Sequence, residues 1–179
     1  MSHWLIELPL PSPTAISGSE LTEDPVKAIR STIEAAGGDI VDIQASADPA
    51  QLFVVVASDD AHPLATALSE AGLEHTEPAA VRLVGAELDD LPSADQVSRW
   101  LVEWDLPEGL TMEAYLERKA ANSPRYADVP EVSFQRTWVR EDMGKCLCFY
   151  DGPDEDAIRH ARDVVGAPID RLHALDGER

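Results

Sequence analysis

The sequence predicts an α+β protein in which one β-α-β-β-α-β unit occurs twice in tandem. Three observations predict it. Short runs rich in β-branched residues alternate with amphipathic helical stretches, and glycine, proline and aspartate punctuate them at the spacing of hairpins and helix ends. The third is an echo: Trp100-Leu-Val-Glu-Trp-Asp-Leu-Pro107 repeats the pattern of Trp4-Leu-Ile-Glu-Leu-Pro-Leu-Pro11, the mark of an internal duplication. The order of elements in each half is that of a ferredoxin-like sandwich, two helices on one face of a four-stranded antiparallel sheet.

Trp4 to Leu8 reads as the first strand, ended by Pro9, Pro11 and Pro13, which cannot continue a central ladder. Asp24-Pro25 opens a helix with proline at its first position; Val26, Ile29, Ile33 and Ala36 recur at helical spacing until Gly37-Gly38 ends it. Asp39 to Ala45 and Gln51 to Ala57 flank a turn-rich Ser-Ala-Asp-Pro-Ala segment and form a hairpin. A second helix spans His62 to Ala71, stopped by Gly72, and Ala80 to Val84 is the fourth strand. Gly85 to Ser98 is polar and broken by Pro92, as a linker is. The pattern then restarts: a strand from Arg99 to Pro107, a helix from Thr111 to about Ala121 with Thr111 as N-cap, a hairpin of Phe134–Arg140 and Lys145–Asp151, a helix from Asp154 to Val165, and a last strand from Ile169 to Leu175.

The expected domains are thus 1–85, a linker at 86–98, and 99–179. Each half leaves one sheet face without helices, and the hydrophobic effect favours covering the two faces with each other as an intramolecular pseudo-dimer, with a pocket between the sheets. Pairing across two chains, as a homo-oligomer, is the other way to cover them.

Composition narrows the function. The chain has 179 residues, 44% of them apolar, enough for a real core. With 34 acidic against 14 basic residues its formal charge is −20, which repels phosphate backbones and anionic lipid, so nucleic acid and membranes are not expected partners. No basic segment precedes an apolar one at the N-terminus, and no run is long enough to span a bilayer, so the cytoplasm is the expected compartment. The two cysteines, one residue apart, fit free thiols in a reducing environment. No dinucleotide fingerprint, phosphate loop or Gly-x-Ser-x-Gly elbow occurs, and no nucleotide cofactor is expected.

Four groups of residues can carry chemistry. Cys146 and Cys148 point to one face of a strand, their Cα atoms about 6 to 7 Å apart; they are either two ligands for a soft or borderline metal or small apolar residues filling a strand. The first half has Leu52 and Val54 at the approximately equivalent positions, so any thiol chemistry is confined to the second half. His160 lies near the edge of the apolar face of its helix, as a third ligand or a packing residue. Strand alternation puts Arg171 and His173 on one face, and Glu103 with Leu101 on the face opposite Trp100, Val102 and Trp104. Glu103, and Glu7 at the matching position, are then either structural ion-pair partners, Glu103 with Arg136 or Arg171, or carboxylates whose pKa burial raises so that they bind a cation or take a proton. Trp4, Trp100, Trp104 and Trp138 read as core.

Leu101-Val-Glu-Trp-Asp-Leu-Pro, Trp138-Val-Arg-Glu-Asp-Met-Gly-Lys, Cys148-Phe-Tyr-Asp-Gly-Pro-Asp-Glu, Ala157-Ile-Arg-His-Ala and Gly166-Ala-Pro-Ile-Asp-Arg-Leu carry a resemblance to a family of small bacterial domains, otherwise of unknown function, that includes a nickel-binding protein. It covers roughly residues 99 to 175. The resemblance implies ferredoxin-like sandwiches that pair as dimeric α/β barrels, and a link to nickel. The expected function is accordingly binding of a divalent metal, nickel or zinc, through Cys146, Cys148 and His160. The alternative is a small-molecule-binding or enzymatic protein that uses Glu103, Arg136 and His173 in a pocket between the sheets.

Overall fold

The structure, a computed structural model, describes residues 1–10, 25–47, 49–86, 88, 91 and 98–175. Its elements are β1 (Ser2–Pro9), α1 (Pro25–Ala35), β2 (Asp39–Ala47), β3 (Ala50–Ser58), α2 (His62–Glu70), β4 (Ala79–Val84), β5 (Trp100–Asp105), α3 (Met112–Asn122), a 3-10 segment (Ser123–Asp128), β6 (Ser133–Arg140), β7 (Lys145–Asp151), α4 (Glu155–Val164) and β8 (Arg171–Ala174). Each strand and helix expected from the sequence has its counterpart, with ends shifted by one to a few residues. The expected proline-rich loop after β1 and most of the expected linker lie outside the described residues.

The chain divides into two compact units, residues 1–80 in the first, and Val81–Leu91 with Ser98–Leu175 in the second. In the first, β3 lies between β2 and β1 and pairs antiparallel with both. Ile6, Leu8, Ile43, Val54 and Val56 on one sheet face meet Ile29 and Ile33 of α1 and Leu64 and Leu68 of α2. Spacing by four residues is what aims each helical pair at the sheet. Gly37 closes α1 at φ +82°, a conformation other residues adopt at a cost.

In the second unit the strands run β4-β6-β7-β5-β8. Val102, Trp104 and Leu106 on β5 and its continuation, with Val139, Cys146, Cys148 and Tyr150, form the helix-facing core against Tyr115 of α3 and Ile158 and Ala161 of α4. Both helices start as the sequence predicts: Thr111 Oγ1 accepts from the backbone N–H of Ala114 at 3.2 Å and Asp154 Oδ1 from that of Ala157 at 2.9 Å. β4 is the element whose membership differs from expectation. Assigned by sequence to the first half, its residues Val81–Val84 pair antiparallel with Thr137–Arg140 of β6 and group with the second unit. An edge strand has unpaired backbone groups, and β4 satisfies those of β6.

The strand registers allow the two units to be compared position by position. Leu8, Glu7 and Ile6 stand opposite Leu52, Phe53 and Val54; Trp104, Glu103 and Val102 stand opposite Cys146, Leu147 and Cys148. The two cysteines therefore occupy the positions of Leu52 and Val54, and Glu103 that of Glu7.

Candidate functional site

The second unit gathers its polar groups on the two faces of its sheet. On the helix side, Cys146 and Cys148 are buried free thiols with their Sγ atoms 3.8 Å apart. Thr137, opposite Cys148 in the register, donates from Oγ1 to its Sγ at 3.4 Å. Lys119 of α3 donates from Nζ to Thr137 Oγ1 at 3.1 Å while lying 4.0 Å over the Phe134 ring. The lysine occupies the hydroxyl oxygen, so the hydroxyl proton turns to the sulfur. Arg162 of α4, 2% exposed, donates from Nη1 to Tyr150 Oη at 3.1 Å and from Nη2 to the carbonyl of Pro168.

This arrangement splits the thiols electrically. A hydrogen bond from Cys146 is the largest influence holding the Cys148 thiol well below the ordinary cysteine pKa; burial opposes it, and Arg162, Lys119 and Thr137 assist. Cys146 moves the other way, pushed up by its bond to Cys148 and by burial. The contact between the sulfurs and the surrounding donors thus favour charge on Cys148 over Cys146. Burial in turn lowers the pKa of Lys119 and raises that of Tyr126. Beside Cys148 opens a cavity of about 40 Å³ between α3, α4 and β7, walled by Trp104, Tyr115, Lys119, Tyr126 and Arg162 among others. That is room for a few waters or one small ligand group.

On the opposite face, Glu103 is buried and accepts from His173 Nε2 at 2.7 Å and Arg171 Nε at 3.0 Å on Oε1, and from Lys145 Nζ at 2.6 Å on Oε2. Arg171 also bridges Asp105 at 2.5 and 2.9 Å. Desolvation, the largest single influence on Glu103, raises its pKa, but the donors together outweigh it and hold the carboxyl well below the usual range. Of the two readings of Glu103, the structure shows the ion pair, with Arg171 and not Arg136 as its arginine, and the carboxyl's pKa moves down rather than up.

The sequence-predicted residues fall as follows. Glu103 and His173 are brought together. Arg136 is on the same sheet face, in the row Arg136–Phe149–Leu101–His173, three strands from the histidine and so roughly 14 Å away across apolar side chains. It lies 4.3 Å over the Phe149 ring and donates to Ser98 Oγ at 3.0 Å. Cys146 and Cys148 are brought together, but His160 is not with them: α4 turns Ile158, Ala161 and Arg162 inward, and the helical period leaves His160 exposed. Among the described residues, no three His, Cys, Asp or Glu side chains gather as a metal cluster. Lys119, Thr137, Lys145 and Arg162 are the polar site residues that sequence reasoning missed. A signal existed for two of them: Tyr115 and Lys119, and Ile158 and Arg162, are each four apart on a helix face.

Comparison with known proteins bears on one half. Residues 100–175 match the family described as nickel responsive protein SCO4226-like. The match spans the unit that holds both sites and agrees with the resemblance read from its motifs. None of the curated proteins matches the chain. Among solved structures, the protein described as "Putative Chlorite dismutase TA0507" superposes with a TM-score of 0.55 at 10% identity, over 99% of this chain and 96% of its own. A second, described as "Putative monooxygenase (FN1347)" from Fusobacterium nucleatum subsp. nucleatum, gives 0.45 at 10% identity over 97% and 90%. At such identity the first likeness is one of fold, the α+β architecture with an antiparallel sheet. No helix among the described residues is long and apolar enough to cross a membrane.

Proposed function

We propose that the second unit binds a soft or borderline divalent metal, nickel or zinc, through Cys146 and Cys148. The observation that carries this reading is the 3.8 Å separation of the two sulfurs. Two thiolates at about 2.3 Å from one tetrahedral ion stand roughly 3.8 Å apart, so the strand presents the pair already at chelating distance. Cys148 is the thiol whose pKa is lowered, so it is the first of the two to yield its proton to an entering metal. Water from the adjacent cavity completes the coordination. The description of the matching family as nickel responsive supports the same class of ligand. Thiols kept reduced are consistent with a cytoplasmic protein. The tandem halves are proposed to serve as one internal pair, which a monomeric mass in solution supports and a dimeric mass opposes.

Titration of the metal-free, reduced protein with Ni²⁺ and Zn²⁺, followed by native mass spectrometry and by thiolate-to-metal absorption, tests the site. One ion per chain is expected, lost in Cys146→Ala and Cys148→Ala and kept in His160→Ala. Binding that survives the double cysteine variant overturns the assignment.

A further inference from the structure

The two cysteines of the chain differ in what they face. Cys148, 2% exposed, is among the residues lining the cavity between α3, α4 and β7, and Cys146, 0% exposed, is not. Arg118, which is exposed, and half-buried Asn122 and Ser123 wall the same cavity, so it leads from the surface to Cys148. Its volume of about 40 Å³ admits a molecule of a few heavy atoms. The neighbours of Cys148 suit a nucleophilic sulfur. Thr137 donates to its Sγ at 3.4 Å, and Lys119, itself on the cavity wall, stands one hydroxyl further, 3.1 Å from Thr137 Oγ1. Against the opposing effect of burial, the bond from Cys146 and then Arg162, Lys119 and Thr137 lower the pKa of this thiol. A second sulfur is already in contact: Cys146 Sγ is 3.8 Å away. The Cα atoms of residues i and i+2 of a strand lie about 6 to 7 Å apart, at the upper end of what a disulfide spans, and closing to about 2.05 Å moves each sulfur roughly 0.9 Å. Packing does not call for the pair, since Leu52 and Val54 fill the same positions in the core of the first unit.

We propose that Cys148 and Cys146 are a dithiol that hydrogen peroxide oxidises to a disulfide, Cys148 meeting the oxidant in the cavity and Cys146 resolving the intermediate. The ionised Cys148 sulfur attacks one peroxide oxygen: an S–O bond forms, the O–O bond breaks, and the departing hydroxide takes a proton from the Lys119 ammonium and leaves as water. The proton that Cys148 lost on ionising is returned to Lys119 through solvent. Cys148 is now a sulfenic acid, oxidised by two electrons. The Cys146 sulfur attacks it; the S–S bond forms, the S–O bond breaks, and the hydroxyl leaves as water with the Cys146 proton. One peroxide is reduced to two waters for each disulfide formed. The size of the cavity sets the substrate class: hydrogen peroxide enters it, and a hydroperoxide with a bulky aryl or alkyl body does not fit. The reaction uses the thiols of the metal reading but does not depend on it, and its test is run on metal-free protein.

Full-length, metal-free, reduced protein is mixed with hydrogen peroxide or with cumene hydroperoxide, and the thiols are followed by quenched-flow sampling, intact mass and peptide mapping. With hydrogen peroxide the chain is expected to lose two hydrogens, with Cys146 joined to Cys148, at least about tenfold faster than thiols of the same chain unfolded in urea. Dithiothreitol is expected to restore the mass, and cumene hydroperoxide to react more slowly. In Cys146→Ala, dimedone is expected to trap a sulfenic acid on Cys148; in Cys148→Ala, Cys146 is expected to react no faster than in the unfolded chain. Lys119→Met is expected to slow the first step about tenfold or more. If circular dichroism shows that an alanine variant does not fold, dimedone competition in the parent chain, mapped to one cysteine or the other, decides the matter. A disulfide between chains instead of within one, a rate equal to that of the unfolded chain, dimedone on Cys146 instead of Cys148, an unchanged rate in Lys119→Met, or equal rates for the two peroxides each overturns the proposal.

Discussion

Replacing Glu103 by glutamine keeps the side chain's volume and one acceptor oxygen, removes the negative charge, and turns one of two accepting oxygens into an N–H donor. The structure sets the size of the loss. Arg171 is 42% exposed and keeps its bridge to Asp105, so its share is small after screening. Lys145 and His173, 13% and 4% exposed, lose a carboxylate at 2.6 and 2.7 Å in a poorly solvated setting. Breaking a fully buried pair costs about 3 to 5 kcal/mol; with a retained acceptor and one screened partner, about 2 to 3 kcal/mol is expected for Glu103→Gln. Urea unfolding measures it as a lower midpoint at unchanged slope. A cycle with Lys145→Met adds a second reading: the two losses are expected to overlap, with a coupling of about 1 kcal/mol or more. A Glu103→Gln variant within about 0.5 kcal/mol of the parent, or a strictly additive cycle, would falsify the view that charge pairing holds this face together.

Two further outcomes follow from the same geometry. The folded-state pKa of Glu103 is depressed, so its contribution to stability is complete above the ordinary carboxylate pKa and drains away as pH falls; urea midpoints are expected to decline from about pH 5 downward, and less steeply in Glu103→Gln, while parallel slopes for the two proteins would contradict this. In the first unit, a Cβ at Gly38 would meet Val56 Cγ1 at 2.6 Å, Leu64 Cδ2 at 2.8 Å and Ile33 Cγ2 at 2.9 Å, all in the core. Gly38→Ala is expected to cost roughly 1 to 3 kcal/mol by overpacking, read as a lower melting temperature; an unchanged one would show that the helix–sheet contact yields freely.

The fold was legible because its signals are local and redundant: apolar periodicity, proline and glycine stops, and an echo between β1 and β5. Face assignments on strands were legible for the same reason, since alternation fixes them; Glu103, Arg171 and His173 share a face as expected, with Trp100, Val102 and Trp104 on the other. What could not be read was anything decided by the balance of several long-range partners. The pairing of Glu103 with Arg171 was among the readings of the sequence; the added convergence of Lys145 from β7 and His173 from β8, which decides against a carboxylate made basic by burial, was not. His160 was read from its nearness in sequence to an apolar stripe, but one residue's rotation on α4 separates an inward Ala161 from an outward His160. Arg162 lay on that stripe and was overlooked because its charge argues for solvent.

The first unit, with the same strand registers, offers a comparison for the polar groups of the second. On the helix face the first unit places Ile43, Val54 and Leu52 where the second has Thr137, Cys148 and Cys146, as the strand registers show. α2 buries Leu64 and Leu68 four apart, where α4 buries Ile158 and Arg162 four apart. The first unit shows that this backbone closes with aliphatic side chains alone. Each polar replacement in the second must be hydrogen-bonded to avoid a desolvation cost, and the chain from Lys119 through Thr137 to Cys148 meets that need for the sulfur, while Arg162 Nε is left over. Stability alone would favour the aliphatic version; the polar version is explained if the two thiols act on something that enters the cavity beside them.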